Sequence, residues 1–360
     1  MRQTRKKPLS RCHSTGPLEG PLLSRCGEPK ALIMNILLTG GAGFIGFHVG
    51  MALLARGHRL TALDSLNRYY DPALKEGRLA QLTAQEGFRF AQVDLADARA
   101  LQEACGEDHY DLILHLAAQA GVRYALEDPF AYTQSNLVGH HNVLEFARHH
   151  VGLSQLIYAS SSSVYGNDTK VPFSENACAD KPVSYYGATK RAGELLSHSY
   201  AELFGLRQRG LRFFTVYGPW GRPDMAYWSF TEAILRGKPI PVFGEGMLRR
   251  DFTYIDDIVA ALVRMVETPF VEDGNLAPHR IYNLGNHRPQ SVMELIGAIE
   301  KATGRKAEIC FTAGPAGDVN ETYADISRAA ADFGFAPRVR LEDGIARFVS
   351  WFQDWQMLRT

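Results

Sequence analysis

A glycine-rich loop near residue 40 constrains the fold of this chain more than any other part of its sequence. It follows the apolar run Asn35–Thr39, which indicates a buried strand, and it leads into helical spacing over 44–55. Gly40, Gly43 and Gly46 give the loop a GxxGxxG spacing. In such a unit the first glycine makes a tight turn, the second lets the backbone approach a pyrophosphate, and the third lets the helix pack on the strand. Because the helix N-terminus favours negative charge, the loop predicts a dinucleotide-binding fold.

Two acidic residues at predicted strand ends refine this prediction. Asp64 closes a second strand over 59–64, where a carboxylate binds the ribose 2′-hydroxyl of a dinucleotide and repels a 2′-phosphate. The position of Asp64 therefore favours NAD over NADP. Asp94 follows a third strand at Phe88–Val93. Two roles stay open for Asp94, a contact with the adenine or the N-cap of the following helix.

Strand and helix patterns alternate from Met34 to about residue 214. Further apolar strands are predicted at 112–116, 156–159 and 211–214, with helices around 131–149 and 184–204. Continuous apolar strands separated by helices are typical of an α/β protein with a doubly wound parallel sheet, the Rossmann architecture. We predict an NAD-binding domain over 34–213 and a smaller C-terminal α/β substrate-binding lobe over 214–360, which partly threads back to the first.

Residues 1–33 have a different composition. They contain seven basic and two acidic residues, a net charge of +5, and four prolines that interrupt any helix. We interpret them as a flexible N-terminal extension, or as the result of a start site assigned too early, with Met34 as the true start.

The composition excludes several functional classes. Lys and Arg number 39, as do Asp and Glu, so the charge gives no electrostatic reason to expect a nucleic-acid partner. No apolar run reaches the roughly 18 residues of a membrane span, so no membrane partner is predicted. The five cysteines show no CxxC spacing, which predicts no cysteine metal site and fits a reducing cytoplasm.

Four histidines near the end of the second predicted helix could suggest a metal site. They form two adjacent pairs, His140 with His141 and His149 with His150. Adjacent residues on a helix point in different directions. We therefore predict that these histidines lie on a solvated helix surface.

A tyrosine, a lysine and a serine cluster form the candidate catalytic group. Ser160–Ser163 ends the fifth predicted strand, at the sheet edge where doubly wound proteins bind ligands. Tyr186 and Lys190 are four residues apart in a helical stretch, so both lie on one helix face. A nearby ammonium, with the charge of an oxidised nicotinamide, is expected to lower the pKa of Tyr186 so that it acts as a base. A serine hydroxyl would share the proton of the substrate hydroxyl, and Lys190 could also hold the nicotinamide ribose.

These features together resemble the extended short-chain dehydrogenase/reductase family, also called the NAD-dependent epimerase/dehydratase family. The resemblance runs from Met34 nearly to the C-terminus. Within the family it is strongest to the UDP-glucuronate 4-epimerases. Four strings carry that part of the resemblance: AAQAGVR at 117–123, SSSSVYG at 160–166, FTVYGPWGRPD at 214–224 and RRDFTY at 249–254.

The resemblance implies a nucleotide-sugar enzyme with NAD as its cofactor. It also implies a homodimer formed through the helices around 131–149 and 184–204. The implied cofactor residues surround the glycine loop and the following strand ends: Gly40, Gly43, Phe44, Ile45, Gly46, Asp64, Asp94, Leu95, Leu116, Ala117, Ala118, Gln119, Tyr186 and Lys190.

The implied reaction is the interconversion of UDP-glucuronate and UDP-galacturonate, an isomerisation. Tyr186 removes the C4 hydroxyl proton with Ser161 as relay, C4 is oxidised, the 4-keto sugar rotates, and hydride returns to its other face. The intermediate is a β-keto acid, so its carboxylate must be held against loss of CO2. The implied anchors are Ser162, Ser163, Thr215 and Arg222, where arginine offers a bidentate fork. By the same resemblance Arg250 and Asp318 hold the UDP diphosphate and ribose, and Arg123 lies near the sugar or diphosphate.

Other activities stay open at this point. The chain could be a UDP-glucose or UDP-N-acetylglucosamine 4-epimerase, a UDP-glucuronate decarboxylase or, more remotely, a non-enzymatic NAD-binding regulatory protein. Ser163 stands where decarboxylases typically carry an acidic residue, and Thr215 where UDP-galactose 4-epimerases usually carry Asn. The presence of both Tyr186 and Lys190 disfavours the regulatory protein.

Overall fold

The secondary structure follows the alternation that the sequence predicts. A computed structural model describes residues 32–167, 169–272, 274, 277–312 and 321–357. Up to residue 213 the elements are β1 (Asn35–Thr39), α1 (Phe44–Ala55), β2 (Arg59–Asp64), α2 (Pro72–Thr83), β3 (Phe88–Gln92), α3 (Ala98–Cys105), β4 (Leu112–His115), α4 (Pro129–Tyr132), α5 (Gly139–His149), β5 (Gln155–Ser161), α6 (Tyr185–Phe204) and β6 (Gln208–Phe213). The later elements are β7 (Thr215–Tyr217), α7 (Ala226–Leu235), β8 (Ile240–Phe243), β9 (Arg249–Tyr254), α8 (Ile255–Glu267), β10 (His279–Leu284), β11 (Pro289–Ser291), α9 (Val292–Thr303), β12 (Ile309–Thr312), α10 (Ser327–Phe333) and α11 (Leu341–Met357).

A seven-stranded parallel sheet forms the centre of the fold, in the order β10-β6-β5-β4-β1-β2-β3. This order confirms the predicted doubly wound architecture. The strand order reverses between β1 and β4, which is where open α/β sheets bind their ligands. The predicted lobe boundary falls between β6 and β7, and β10 returns from beyond it to pair with β6. The strands β7, β9 and β11 form a second sheet, and β8 pairs with β12.

Burial explains why the central strands read as continuous apolar runs. Every residue of β4 is buried, and Leu112 and Leu114 are fully excluded from solvent together with Ile36, Leu38 and Ile157 of the neighbouring strands. Strands covered by helices on both faces have no polar side to present. Within the described ranges, no helix has the length and apolarity needed to cross a bilayer.

Local signals fix the ends of the helix that carries the catalytic candidates. The Ser184 hydroxyl accepts a hydrogen bond from the backbone N–H of Gly187 at 3.0 Å and so caps the start of α6. Gly205 ends the helix in a left-handed conformation, with φ of 66°, which glycine adopts without steric cost. The helix therefore begins one residue before Tyr186 and directs its first turns towards the end of β5.

The prediction that His140 lies on a solvated surface is wrong. His140 is 5% exposed, its Nε2 forms a 2.9 Å hydrogen bond with the Ser197 hydroxyl, and its ring stacks on His115. His115 in turn forms a 2.7 Å hydrogen bond with the Thr39 hydroxyl. The helical pattern was correct, but α6 covers the face that carries His140. Among the described residues, no group of three or more His, Cys, Asp or Glu side chains could hold a metal ion.

Acidification should destabilise the protein through these buried histidines. Burial lowers the pKa of His140 to about 3 and that of His279 to about 4, and it holds the pKa of His115 well below its ordinary value. In the unfolded chain each titrates near 6.5. Between pH 6.5 and about 4 the unfolded chain therefore binds more protons, and the free energy of unfolding falls as the pH falls. The expected slope is up to about 1.4 kcal/mol per pH unit for each histidine.

Urea unfolding at pH 7.5, 6.5, 5.5 and 5.0 measures this slope. The variant His140→Gln should show a shallower slope than the wild type, whereas His149→Gln, at an exposed position on the same helix, should not change it. A free energy of unfolding that stays constant from pH 7.5 to 5.0 would contradict the prediction.

Candidate active site

A cavity of about 780 Å³ opens at the carboxyl ends of the central strands. Asp318 lies outside the described residues. All the other predicted site residues line this cavity: Gly40, Gly43, Phe44, Ile45, Gly46, Asp64, Asp94, Leu95, Leu116, Ala117, Ala118, Gln119, Arg123, Ser161, Ser162, Ser163, Tyr186, Lys190, Thr215, Arg222 and Arg250. Residues from three separate parts of the sequence therefore meet in one space.

The glycine loop between β1 and α1 is packed too closely against its own backbone to accept side chains. Gly40 has a φ of 73°, and a Cβ added to Gly46 would lie 2.1 Å from the Gly40 carbonyl oxygen. A Cβ on Gly43 would lie 2.9 Å from the same oxygen. The first turn of α1 has neither a side-chain cap nor an acidic residue, so its N–H groups remain for an anion. This geometry fits a dinucleotide pyrophosphate.

Two carboxylates, at the ends of β2 and β3, line the cavity. Asp64 accepts a hydrogen bond from the N–H of Leu66 at 2.9 Å at the end of β2. Asp94 follows β3 and accepts from the N–H of Ala96 at 3.0 Å. Asp97, three residues later, is the N-cap of α3. Of the two roles left open for Asp94, the helix cap is therefore taken by another residue.

Asn136 supports the wall of the cavity, and the sequence analysis did not single it out. It lies in a π-helical turn over Thr133–Val138, between α4 and α5. Its amide bonds both backbone groups of Gln119, accepting from the N–H at 2.8 Å and donating to the carbonyl at 3.0 Å. It also donates to the Thr189 hydroxyl on α6. The apolar pattern predicts a helix here but does not reveal the extra residue of a π-helical turn, so no simple signal in the sequence indicated this role of Asn136.

Lys190 lies beneath the serine cluster with its ammonium fixed in place. Its Nζ donates a 3.0 Å hydrogen bond to the carbonyl of Ala159 on β5. Burial lowers the pKa of Lys190 to about 8, and the negative charge of Glu194 opposes that shift. The side chain is therefore mostly protonated at neutral pH and supplies a positive charge at the cavity floor.

The predicted lowering of the Tyr186 pKa does not hold for the protein alone. Burial raises the pKa of Tyr186 above its ordinary value, while the charge of Arg222 and the nearby Ser161 hydroxyl lower it. Removing water from the phenol outweighs these two groups, and the Lys190 ammonium is engaged with Ala159. The predicted lowering also counted on a positive nicotinamide ring, which is not a group of the protein.

A buried carboxylate next to this pair was missed by the sequence analysis. Glu194 lies one turn after Lys190 on α6 and accepts from the Ser160 hydroxyl at 2.6 Å. Arg212 of β6 binds both of its oxygens at 2.8 Å, and Arg191 binds one at 2.9 Å. The network locks the end of β5 to α6, and it holds the pKa of Glu194 low despite burial. The spacing of four residues between Lys190 and Glu194 could have indicated that both side chains lie on the same face of α6.

The turn that follows β5 and contains the serine cluster, called the serine turn below, lies close to α6. After β5 the chain makes a 3-10 turn over Ser162–Val164, and the Ser161 hydroxyl accepts from the N–H of Ser163 at 3.2 Å. A Cβ on Gly187 would lie 2.4 Å from the Ser163 carbonyl oxygen. The absence of a side chain at Gly187 therefore permits this approach of the turn to the helix that carries Tyr186.

The loop after β7 places Arg222 in the cavity, paired with a carboxylate. Its Nε donates to Asp224 Oδ1 at 3.0 Å and its Nη2 to Oδ2. The Tyr69 hydroxyl donates to the same Oδ2 at 3.1 Å. Neither Asp224 nor Tyr69 was predicted as a site residue. Asp224 is the last residue of the string at 214–224 that carries part of the resemblance. No feature of the sequence indicates that Tyr69 contacts Asp224.

The remaining predicted arginines line the cavity near its apolar wall. The guanidinium of Arg123 lies over the ring of Phe243, 4.8 Å from its centre. Arg250 on β9 donates to the carbonyl of Arg249 at 2.9 Å. Guanidinium groups recognise phosphates through paired donors, so these positions are chemically suited to a diphosphate.

Comparison with known proteins finds one family model and several relatives that cover most of this chain. The model of the NAD dependent epimerase/dehydratase family matches residues 36–285. The chain is 45% identical over 331 residues to the probable UDP-glucuronate 4-epimerase of Rhizobium meliloti, covering 89% of this chain and 97% of that protein. It is 46% identical over 329 residues to UDP-glucuronate 4-epimerase 1 of Arabidopsis thaliana, covering 89% and 76%.

A solved structure shows the same likeness in three dimensions. The fold matches that of UDP-glucuronic acid 4-epimerase from Bacillus cereus in complex with UDP-glucuronic acid and NAD, with a TM-score of 0.81. The two are 34% identical, and the match covers 89% of this chain and 100% of the other.

Proposed function

The chain belongs to the NAD dependent epimerase/dehydratase family, and from that premise we propose that it interconverts UDP-glucuronate and UDP-galacturonate. One observation carries this proposal. Arg222, the serine turn and Thr215 line the same cavity as Tyr186 and Lys190, so a sugar carboxylate can be bound beside the candidate base. The names of the relatives and the ligands of the Bacillus cereus structure support the same substrate.

The residues of the glycine loop and the strand ends would hold NAD. The loop glycines and the first turn of α1 would bind the pyrophosphate, and Asp64, which lines the cavity, would bind the adenosine ribose hydroxyls. When bound there, NAD would supply a hydride acceptor and donor that is regenerated in each cycle. Lys190 and Tyr186 line the part of the cavity next to β5.

The chain's own residues then perform the proton transfers. Tyr186 accepts the proton of the C4 hydroxyl, with the Ser161 hydroxyl as relay, and returns it after the sugar has rotated. The charge of Arg222 lowers the pKa of Tyr186 against the effect of burial, and Lys190 holds a buried ammonium one turn further along α6. The hydrogen bonds of Glu194 and Asn136 hold α6 and the cavity wall in a fixed position during both half-reactions.

The carboxylate anchor decides what the oxidised sugar does next. A 4-keto uronic acid is a β-keto acid, and it loses CO2 when the bond to the carboxylate aligns with the ketone π system. An enzyme that retains the carboxylate must hold it out of that alignment. Ser162, Ser163, Thr215 and Arg222 are the donors that the cavity offers for this purpose.

Incubation of the purified protein with UDP-glucuronate, with and without added NAD, tests the proposal by NMR of the products. We expect UDP-galacturonate at a near-equal equilibrium, with neither CO2 nor a UDP-pentose. A UDP-pentose would identify a decarboxylase. No reaction with UDP-glucuronate, but turnover of UDP-glucose or UDP-N-acetylglucosamine, would identify an epimerase of neutral sugars and return Arg222 to a structural role.

We also infer that the protein acts in the cytoplasm. The supporting observation is chemical: Cys105, Cys178 and Cys310 form no disulfide bonds, which suits a reducing compartment. UDP-sugars are the partners for which the cavity is suited.

A homodimer through α5 and α6 is a further part of the proposal. Leu195, Leu203 and Phe204 on α6 are each about half exposed or more, at 55%, 70% and 48%. Exposed apolar side chains grouped on one helix are typical of an interface. Light scattering should give a mass near 80 kDa, twice the chain mass of 40.0 kDa. The variant Leu195→Glu/Leu203→Glu should shift it towards the monomer, and a 40 kDa wild type would contradict the proposal.

A further inference from the structure

The side chain of Arg222 is held by protein groups along one of its edges. Asp224 accepts from both Nε and Nη2, which is a side-on bidentate pair. The Tyr69 hydroxyl bonds the same carboxylate at 3.1 Å. Tyr69 is in turn fixed by its neighbours, since its ring lies 4.8 Å from that of Tyr124 and its hydroxyl rests against Gly121.

The backbone that carries Arg222 is fixed separately. Arg78 on α2 is fully buried and donates to the carbonyl oxygens of Trp220, Gly221 and Ala42 at 2.6 to 3.0 Å. It therefore ties the loop before Arg222 to the glycine loop. Because the backbone is held in this way, the direction of the Arg222 guanidinium depends on the groups that bind its side chain.

One edge of the guanidinium remains for a ligand. Within the described part of the chain, Nη1 donates to no protein group, and Nη1 and Nη2 together form the end-on edge of the fork. Arg222 lines the cavity, and its charge acts on Tyr186. A carboxylate bound to the end-on edge would therefore be close to the reacting part of the sugar.

We propose that Asp224 is a positioning residue for the carboxylate anchor: it holds the Nε and Nη2 edge of Arg222, with Tyr69 behind it, so that the end-on edge faces the substrate. This inference rests on the proposed function. Asp224 does not touch the substrate in this arrangement. It acts by fixing the angle at which the substrate carboxylate is held, and that angle decides whether the 4-keto intermediate keeps its CO2.

The variant Asp224→Asn tests this role, because it keeps the size of the side chain and removes the charge that grips the fork. We expect kcat/KM for UDP-glucuronate to fall about tenfold and the ratio of UDP-pentose to UDP-galacturonate to rise clearly above the wild-type value. Tyr69→Phe, which loses only the hydroxyl, should move both quantities in the same direction and less far.

The control is Glu342→Gln. Glu342 also pairs with an arginine two residues earlier in the sequence, Arg340, but through one 3.4 Å contact on the surface, and it does not line the cavity. Kinetics and product ratio of this variant should match the wild type. Bound NAD and the thermal unfolding midpoint are measured for all variants, because a purely structural role would lower the midpoint without changing the product ratio.

The outcomes separate this inference from the proposed function. An active wild type and an Asp224→Asn variant with an unchanged product ratio overturn the positioning role alone. An Asp224→Asn variant with a lower KM and an unchanged product ratio also overturns the positioning role, since Asp224 would then compete with the substrate carboxylate for the Arg222 guanidinium. A wild type that does not convert UDP-glucuronate overturns both.

Discussion

The variant Tyr186→Phe is expected to lose epimerase activity by about a thousandfold, because general acid–base catalysis by one side chain contributes about 10²–10⁴-fold. The phenol hydroxyl is the group that takes the C4 proton, and phenylalanine keeps the ring that packs against Tyr132. Folding and NAD binding should therefore stay close to those of the wild type. Initial rates by NMR, the bound NAD content and the thermal unfolding midpoint measure the three quantities.

Tyr200, on the same helix, provides a matched control. Its hydroxyl donates to Glu145 of α5, and it does not line the cavity. Tyr200→Phe should retain wild-type rates. A Tyr186→Phe variant that epimerises at a rate within tenfold of the wild type would show that another group removes the proton.

The variant Arg222→Ala is expected to change the product as well as the rate. Without the fork the substrate loses its charge-assisted anchor, so kcat/KM for UDP-glucuronate should fall about a hundredfold. The oxidised sugar that still forms has a freer carboxylate, and we expect CO2 and UDP-pentose among its products. NMR with ¹³C at the C6 carboxyl measures the carbon that leaves as CO2.

Arg236→Ala is the control for this change. Arg236 pairs with Glu232 on the surface of α7, so its removal should alter neither rate nor product. Normal conversion of UDP-glucuronate by Arg222→Ala, with no CO2, would place the anchor elsewhere.

The central strands β1, β4 and β5 were predictable because they are buried on both faces. The predicted β1 and β2 match the structure, and β3 and β4 end within one residue of the prediction. The start of β6 was missed by three residues, since Gln208 and Arg209 stand at its beginning. Both are buried, and Arg209 gives its donors to loop carbonyls such as those of Met265 and Thr268. Buried polar side chains of this kind cannot be distinguished from surface residues by an apolar pattern.

The site was predictable where its residues belong to a local motif. The glycine loop, Tyr186 and Lys190 depend on spacing within one strand–loop–helix unit or one helix turn. Asp224 lies two residues from Arg222, but the groups that support this pair and its loop, Tyr69 and Arg78, come from the loop after β2 and from α2, more than 140 residues away in sequence. The direction of the Tyr186 pKa shift depends on burial, which the sequence does not state.

A substrate with deuterium at C4 tests the central claim most directly. If hydride leaves C4 and returns to the opposite face of the same carbon, UDP-[4-²H]glucuronate must give UDP-galacturonate that retains its deuterium at C4. Mass spectrometry and NMR of the product should show full retention, with no deuterium in the water. Loss of the label to solvent, or an inverted product formed by exchange at another carbon, would contradict the account.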